Sequence, residues 1–406
     1  MIDLFPVSAR VEDGELALGG VATSALAEEF GTPLVVYCEE TLRTQARAYL
    51  AAAPGALVAY GTKAFANVAV LRVLAEEGLG ADVSTLGEIA FARAAGIPDD
   101  RLVLHGNNKS DDELSAAAGA LVVLDGPDEL ERARAAGAAR LLVRVTPGVE
   151  AETHAAIRTA HEGSKFGLTP DQARELIARD PEILGVHLHV GSQLRSLDEA
   201  RAAVEALAAF VESCGGWRPR VLDLGGGLAV RYLPEDRVPS VEEYVAAQLS
   251  GWSLEPPEQL VLEPGRSLVG RAGVTLYRVG AVKEAGGGVR YAAVDGGMSD
   301  NPRPQLYDAR VTALVAGRAE EPPDGTYAVS GKHCESGDVL AREVPLASPR
   351  PGDLLAVPAT GAYTLAMSSN YNGVPRPAVA LVSGGDARLI RRRETTEDLL
   401  EREVGY

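Results

Sequence analysis

The sequence predicts an α/β fold, a TIM-type (β/α)8 barrel joined to a mostly β, sandwich-like domain. From about residue 56 onward, short apolar β-branched runs alternate with longer Ala/Leu/Glu-rich segments of helical period, the pattern of a parallel sheet wound with helices. Eight such runs can be counted, the number that closes a barrel. After about residue 271 the texture changes to Val-rich stretches broken by Gly, Pro and Asp, with few helical segments, which reads as sheet.

The runs are ALVAY (56–60), LGADV (79–83), RLVLH (101–105), ALVVLD (120–125), RLLVRV (140–145), LGVHLH (184–189), RVLDLG (220–225) and LVLEP (260–264). A ninth, PLVVY (33–37), is taken as the lead-in that enters the barrel from elsewhere. The segment ARVEDGELALGG reads as a hairpin, so residues 1–35 are expected to join 272–406 in the β domain, with the barrel spanning 36–271. The tail IRRRETTEDLLEREV has the charge and period of a solvated terminal helix.

At 406 residues with 46% hydrophobic content, the chain can bury the cores of two domains. A formal charge of −18 argues against nucleic acid, which needs clustered Lys and Arg, and favours small-molecule partners. The start MIDLFPVSARVEDGE has neither a basic segment nor an apolar run, and no stretch of about 18 apolar residues follows. A cytoplasmic, non-membrane protein is expected. Three cysteines, Cys38, Cys214 and Cys334, are too few and scattered for a disulfide framework or a CxxC metal site.

Reactive groups of a TIM barrel sit just past the strand C-termini. Here those positions hold GTKAF (61–65), GNNKS (106–110), HLHVGSQ (187–193), GGG (225–227) and EPGR (263–266). Lys63 lies two residues past a buried strand end, where a low-dielectric pocket favours the neutral amine that attacks a carbonyl to form a Schiff base. An exposed loop lysine is the commoner case; the company Lys63 keeps reverses that expectation. Gly225, Gly226 and Gly227 can bring backbone N–H groups against a phosphate, with Ser192 adding a hydroxyl and Arg266 a guanidinium. Alone the triplet is equally a tight turn. Glu263 can pair with a protonated ring nitrogen, or form an ordinary salt bridge. His187 and His189, two apart in a strand, point to one face. An HxH pair can mean zinc, but no third ligand at metal spacing follows, so no metal is expected and a histidine lying against a flat ring fits better. Cys334 stands among His333, Glu335 and Asp338, poor company for a merely buried hydrophobe.

These residues sit in motifs that resemble the fold-type III pyridoxal-phosphate decarboxylases, which share the alanine racemase-like barrel, and within them the branch acting on meso-diaminopimelate. The motifs are HGNNKS, RVTPGVEAETH, SKFGL, LHLHVGSQL, LDLGGGLAV, LEPGRSLVG, DGGMSDNPRPQLY, HCESGD and GAYTLAMSSNYNGVPRP, spread over nearly the whole chain. The resemblance implies pyridoxal 5'-phosphate held covalently by Lys63, faced by His189, with its phosphate bound by Ser192, Gly225 to Gly227, Gly265 and Arg266 and its ring nitrogen by Glu263. Tyr363 is implied to touch cofactor and substrate, and Arg266, Arg303, Tyr307 and Glu335 to serve the substrate's distal end. Cys334 is implied as a proton donor supplied by the other subunit of a homodimer.

The expected reaction is therefore decarboxylation of meso-2,6-diaminopimelate to L-lysine and CO2. Arginines suit a second carboxylate and Glu335 a distal ammonium, together describing a substrate with both at its far end. Alternatives are a related decarboxylase acting on a modified amino acid in a specialised pathway, a racemase-like enzyme, which HCESGD disfavours, or a non-catalytic cofactor-binding protein. Two departures from the family's pattern stand out: Arg158-Thr159-Ala160 ahead of SKFG, and Phe65 where many members carry Asn. A further expectation is that Lys165 pairs with Asp338 across the dimer.

Overall fold

A computed structural model describes residues 1–146 and 164–405. The RVTPGVEAETH motif after Thr146 and the Arg158-Thr159-Ala160 departure lie outside the described residues. The chain divides into two compact units, one of Arg43–Ala229 with Arg237–Leu268 and the other of Met1–Leu42, Val230–Asp236 and Val269–Tyr406.

In the first unit the predicted runs become parallel strands, Leu57–Gly61, Gly80–Val83, Leu102–Leu104, Leu121–Leu124, Arg140–Arg144, Gly185–His187, Val221–Asp223 and Gln259–Leu262. They close a barrel, the eighth pairing with the first through Val261↔Leu57 and Leu262↔Val58. The (β/α)8 barrel is thus confirmed. Leu57, Ala59, Val103, Leu121, Val123, Leu142, Val221 and Val261 fill its interior, because alternate residues of every strand point inward. Close strand contact fixes two glycines: a Cβ on Gly80 would strike the Arg101 carbonyl, and one on Gly185 the Val221 carbonyl.

The surrounding helices start where the sequence supplies caps. The Asn67 carboxamide accepts from Ala69 N and Val70 N at the head of Val68–Glu76, and reciprocal capping boxes, Ser110 with Glu113, Thr169 with Gln172 and Ser240 with Glu243, open three more helices.

In the second unit, the long strand Gly273–Glu284 turns a bulge between Val279 and Ala281, and its two halves work separately. The first half pairs with Leu34–Cys38 and Leu354–Val357, the second with Arg290–Val294. Across the sheet the order runs Val339–Leu346, Gly325–Ser330, Arg290–Val294, Gly273–Glu284, Leu34–Cys38, Ala378–Ser383, Asp386–Arg391. The expected N-terminal hairpin is present as Arg10–Glu12 against Glu15–Leu18.

Two expectations are corrected here. Leu34–Cys38 is not a lead-in to the barrel but a central strand of the sheet, between Gly273–Glu284 and Ala378–Ser383. All five of its residues are buried, and a run apolar on both faces is what a covered central strand needs. The expected barrel boundary at 36 accordingly moves to 43, and the short stretch Val230–Asp236 leaves the barrel to pack with the sheet unit. The tail is helical only over Thr396–Leu400; Asp386–Arg391, which includes the start of the expected helix, pairs with Ala378–Ser383 as an edge strand instead.

Candidate active site

Strand C-termini of a barrel all open on one end, so polar residues placed there converge. Lys63 sits on a single 3-10 turn, Thr62–Ala64, directly after the first strand. Its ammonium donates to Asp82 Oδ2 from the second strand. The other Asp82 oxygen lies 4.0 Å from His105 Nε2 at the end of the third strand, and that nitrogen meets Glu263 Oε1 at 2.5 Å. His187, from the sixth strand, brings Nε2 to 3.3 Å from Glu263 Oε2 and sets its ring edge-on to His105, centroids 4.7 Å apart. A row of contacts therefore runs from Lys63 to Glu263. Lys63 is not desolvated as expected: its side chain is 47% exposed and ion-paired with buried Asp82.

Burial alone would push the Glu263 carboxyl up, but the charge and hydrogen bond of His105, with a smaller contribution from neighbouring His187, outweigh it and hold Glu263 well below the usual carboxylate range. Asp223, on the neighbouring strand, goes the other way: burial first, then the Glu263 charge, raise it well above that range. Of the two carboxyls, Glu263 is the one whose surroundings favour the anion. Burial also drops His187 to about 3, so it stays neutral at physiological pH.

His105, His187, Asp223 and Glu263 place their ligand atoms within 4.8 Å of one another. The expectation that His187 lacks further metal-type neighbours is therefore corrected; they come from three other strands, where sequence spacing does not reveal them. Ligands about 2.1 Å from one tetrahedral zinc stand about 3.4 Å apart, whereas His105 and Glu263 are in direct hydrogen-bond contact at 2.5 Å. The set is a buried cluster of titratable groups held together by the His105–Glu263 bond.

Beside it lies a cradle of backbone. Gly225 has φ +61 and Gly227 φ +126, and a Cβ on Gly226 would strike the Glu263 carbonyl, so the triplet's close approach admits no side chain. Gly226 N donates to His189 Nδ1 at 3.4 Å, and the His189 ring lies parallel to His187, interplanar angle 6° and centroids 6.5 Å apart. Burial, then the Arg144 and Lys63 charges, hold His189 well below the usual histidine range. Arg266 Nε and Nη2 both donate to Ser192 Oγ at 3.2 Å. Gly265 packs its Cα against Gly61. Lys109 of GNNKS does not join the site. It is buried, donating to the carbonyls of Gly106 and Val123 and to both oxygens of Glu129, and serves as a brace behind the strand ends.

The remaining predicted residues belong to the sheet unit. Cys334, Glu335 and Ser336 form an exposed tip. Its footing is buried: the Asp338 carboxylate accepts from Met298 N at 2.7 Å and His333 N at 2.9 Å, His333 Nε2 meets Ser299 Oγ at 2.9 Å, and Cys334 N donates to Asn372 Oδ1 at 3.1 Å. Asp338 thus braces its own tip, and within the same chain Lys165 Nζ lies 4.8 Å over the Phe166 ring. Tyr363 holds φ 56, a left-handed conformation that a bulky residue adopts only when its surroundings impose it. Tyr307 Oη meets Met367 Sδ at 3.6 Å, and the buried Arg303 guanidinium lies over the Tyr232 ring, 3.9 Å from its centroid. Phe65, the departure from the family pattern, is fully buried, its carbonyl accepting the Tyr60 hydroxyl at 3.0 Å.

Residues 39–270 match the family model of the pyridoxal-dependent decarboxylases, pyridoxal binding domain. The chain belongs to that decarboxylase family. It is 47% identical to the diaminopimelate decarboxylase of Actinosynnema pretiosum over 99% of this chain and 95% of the relative. It is 41% identical to that of Bacillus subtilis over 99% and 98%. Among solved structures it resembles diaminopimelate decarboxylase from M. jannaschii in complex with L-lysine, TM-score 0.90, 31% identity, 98% of each chain. The likeness to the lysine/ornithine decarboxylase of Vibrio vulnificus, complexed with putrescine, is lower, with TM-score 0.78 and 27% identity over 89% of this chain and 97% of that one.

The family implies pyridoxal phosphate, and the residues of this decarboxylase fit it. The glycine cradle leaves backbone where a Cβ would intrude, and a buried, ionised Glu263 is the partner a cationic ring nitrogen requires. Asp82, His105 and Asp223 were not singled out from the sequence. The available signal was a lone polar residue inside or ending an otherwise apolar strand run, which burial permits only with a partner.

Proposed function

We infer that this protein is a carboxy-lyase that uses pyridoxal phosphate to convert meso-2,6-diaminopimelate to L-lysine and CO2, a step of lysine biosynthesis. The observation that carries the reading is the row from Lys63 through Asp82 and His105 to Glu263, which sets an amine at one end and a stabilised anion at the other.

When bound, pyridoxal phosphate supplies an electron sink that takes up the pair left on the α-carbon as CO2 departs. Lys63 would hold the cofactor through Nζ, beside the Asp82 carboxylate with which it pairs. Glu263, kept ionised by His105 and His187, holds positive charge at the ring nitrogen. Ser192, Gly225 to Gly227, Gly265 and Arg266 bind the phosphate, His189 faces the ring, and Tyr363 closes on cofactor and substrate. Arg266, Arg303 and Tyr307 receive the distal carboxylate and Glu335 the distal ammonium. Cys334 Sγ delivers a proton to the α-carbon.

The exposed Cys334 tip supports a homodimer in which each tip completes the partner's site. Among the described residues no helix is long and apolar enough to cross a membrane, and we place the enzyme in the cytoplasm.

A CO2-release assay across meso-diaminopimelate, lysine, ornithine and arginine tests the substrate. Release from diaminopimelate alone is expected; release confined to the other three overturns the reading. Cys334→Ala is expected to cut turnover by about 10²-fold with cofactor still bound, the scale of losing one proton donor. Mixing Cys334→Ala with Lys63→Ala chains is then expected to restore part of the activity, because each mixed dimer regains one intact site. No recovery argues that each site is built from a single chain.

A further inference from the structure

The stretch Val230–Asp236 interrupts the barrel unit and packs with the sheet unit, and its side chains account for the excursion. Arg231 Nη1 bonds Asp3 Oδ2 at 2.6 Å and Nη2 the Pro234 carbonyl at 2.8 Å. Asp236 folds back so that one carboxylate oxygen accepts from both Tyr232 N and Leu233 N, at 2.9 and 3.0 Å. Tyr232 thereby stands at the head of a pinned turn, packed with Val230 and Ala359 and 6% exposed. Over its ring, 3.9 Å from the centroid, lies the guanidinium of Arg303, itself 4% exposed.

A guanidinium is flat, with all its N–H bonds in its own plane. Stacking on an aromatic face compensates the buried charge through the ring's negative face, and it does so without consuming those in-plane bonds. Contact at 3.9 Å also restricts how the guanidinium can turn, and so where the fork points. A carboxylate gripped by two parallel N–H bonds must lie in that plane. Loss of one CO2 from diaminopimelate leaves lysine, whose far end keeps both its ammonium and its carboxylate, so substrate and product present Arg303 with the same group.

We propose that Tyr232 is a specificity-determining positioning residue, a platform that orients the Arg303 guanidinium toward the carboxylate at the substrate's far end. The inference rests on the reading of Arg303 given above and adds the group that aims it.

The test compares Tyr232→Leu, which removes the ring and keeps apolar bulk, with Tyr232→Phe, which keeps the ring. In cofactor-loaded protein, Tyr232→Leu is expected to raise KM for diaminopimelate about tenfold with kcat little changed, the size of a desolvated cation–π contact. It is expected to weaken inhibition by lysine to the same extent. Inhibition by 1,5-diaminopentane, which lacks the far carboxylate, stays unchanged, and Tyr232→Phe behaves as wild type throughout. Tyr232→Met reads the same comparison if the leucine variant does not fold. An unaltered KM and lysine inhibition overturn the proposal, as does equal weakening toward lysine and diaminopentane, which would assign Tyr232 to general packing. Absence of CO2 release from diaminopimelate by the wild type would overturn the function instead; titrating lysine and diaminopentane against the bound cofactor's absorption then still decides the role of Tyr232.

Discussion

Lys63→Ala, purified in the presence of pyridoxal phosphate, is expected to lack the visible absorption of a covalently held cofactor and to lose at least about 10³-fold in CO2 release, the scale of deleting a covalent nucleophile. The fold should survive, since the side chain is half exposed and ion-paired with Asp82. Lys63→Arg separates the two services of the residue. It keeps a cation beside Asp82 but offers no amine that condenses with an aldehyde, so it is expected to be as colourless and inactive as the alanine variant. An arginine variant that retained the band would move the covalent role to another residue. Near-wild-type circular dichroism in both variants guards against reading an unfolded protein as an inactive one.

Glu263→Gln is expected to bind the cofactor and fall about 10²- to 10³-fold in turnover, the range seen when one preorganised electrostatic partner is removed from an active site. The amide matches the carboxylate in size but cannot carry the negative charge that His105 and His187 stabilise on Glu263. A ring nitrogen facing a neutral amide keeps its proton less readily, and the electron sink weakens. Glu263→Asp retains charge but withdraws it from His105, so an intermediate loss is expected. Wild-type turnover in Glu263→Gln would show that the ring nitrogen's partner lies elsewhere. The alanine change is a poorer test, because it leaves two buried histidines around a cavity.

Much of this was legible in the chain because the signals were local. A buried parallel strand announces itself by a short apolar run, and the barrel rule then fixes where to look for chemistry, so Lys63, Gly225 to Gly227 and Glu263 could be picked out before any coordinates. What escaped depends on contacts between distant segments. Asp82, His105 and Asp223 each read as one polar letter in an apolar run, and only closure of the barrel sets them side by side. Tyr232 looks like an ordinary loop aromatic until Arg303 is found on its face. Leu34–Cys38 was misplaced for a related reason: an apolar run of five residues suits a barrel strand and a central sheet strand equally, and only its partners decide.

Those partners impose an order on synthesis. Leu34–Cys38 leaves the ribosome early, yet one neighbour, Gly273–Glu284, and the other, Ala378–Ser383, are made only after the entire barrel sequence. At about 5 to 20 residues per second, a strand built to be covered on both faces waits about 17 to 70 seconds for its second neighbour, the roughly 345 residues up to Ser383 being made meanwhile. The nascent chain therefore carries an unpaired, aggregation-prone edge for most of its translation, and charged or proline substitutions there would ease that passage only by spoiling the centre of the finished sheet.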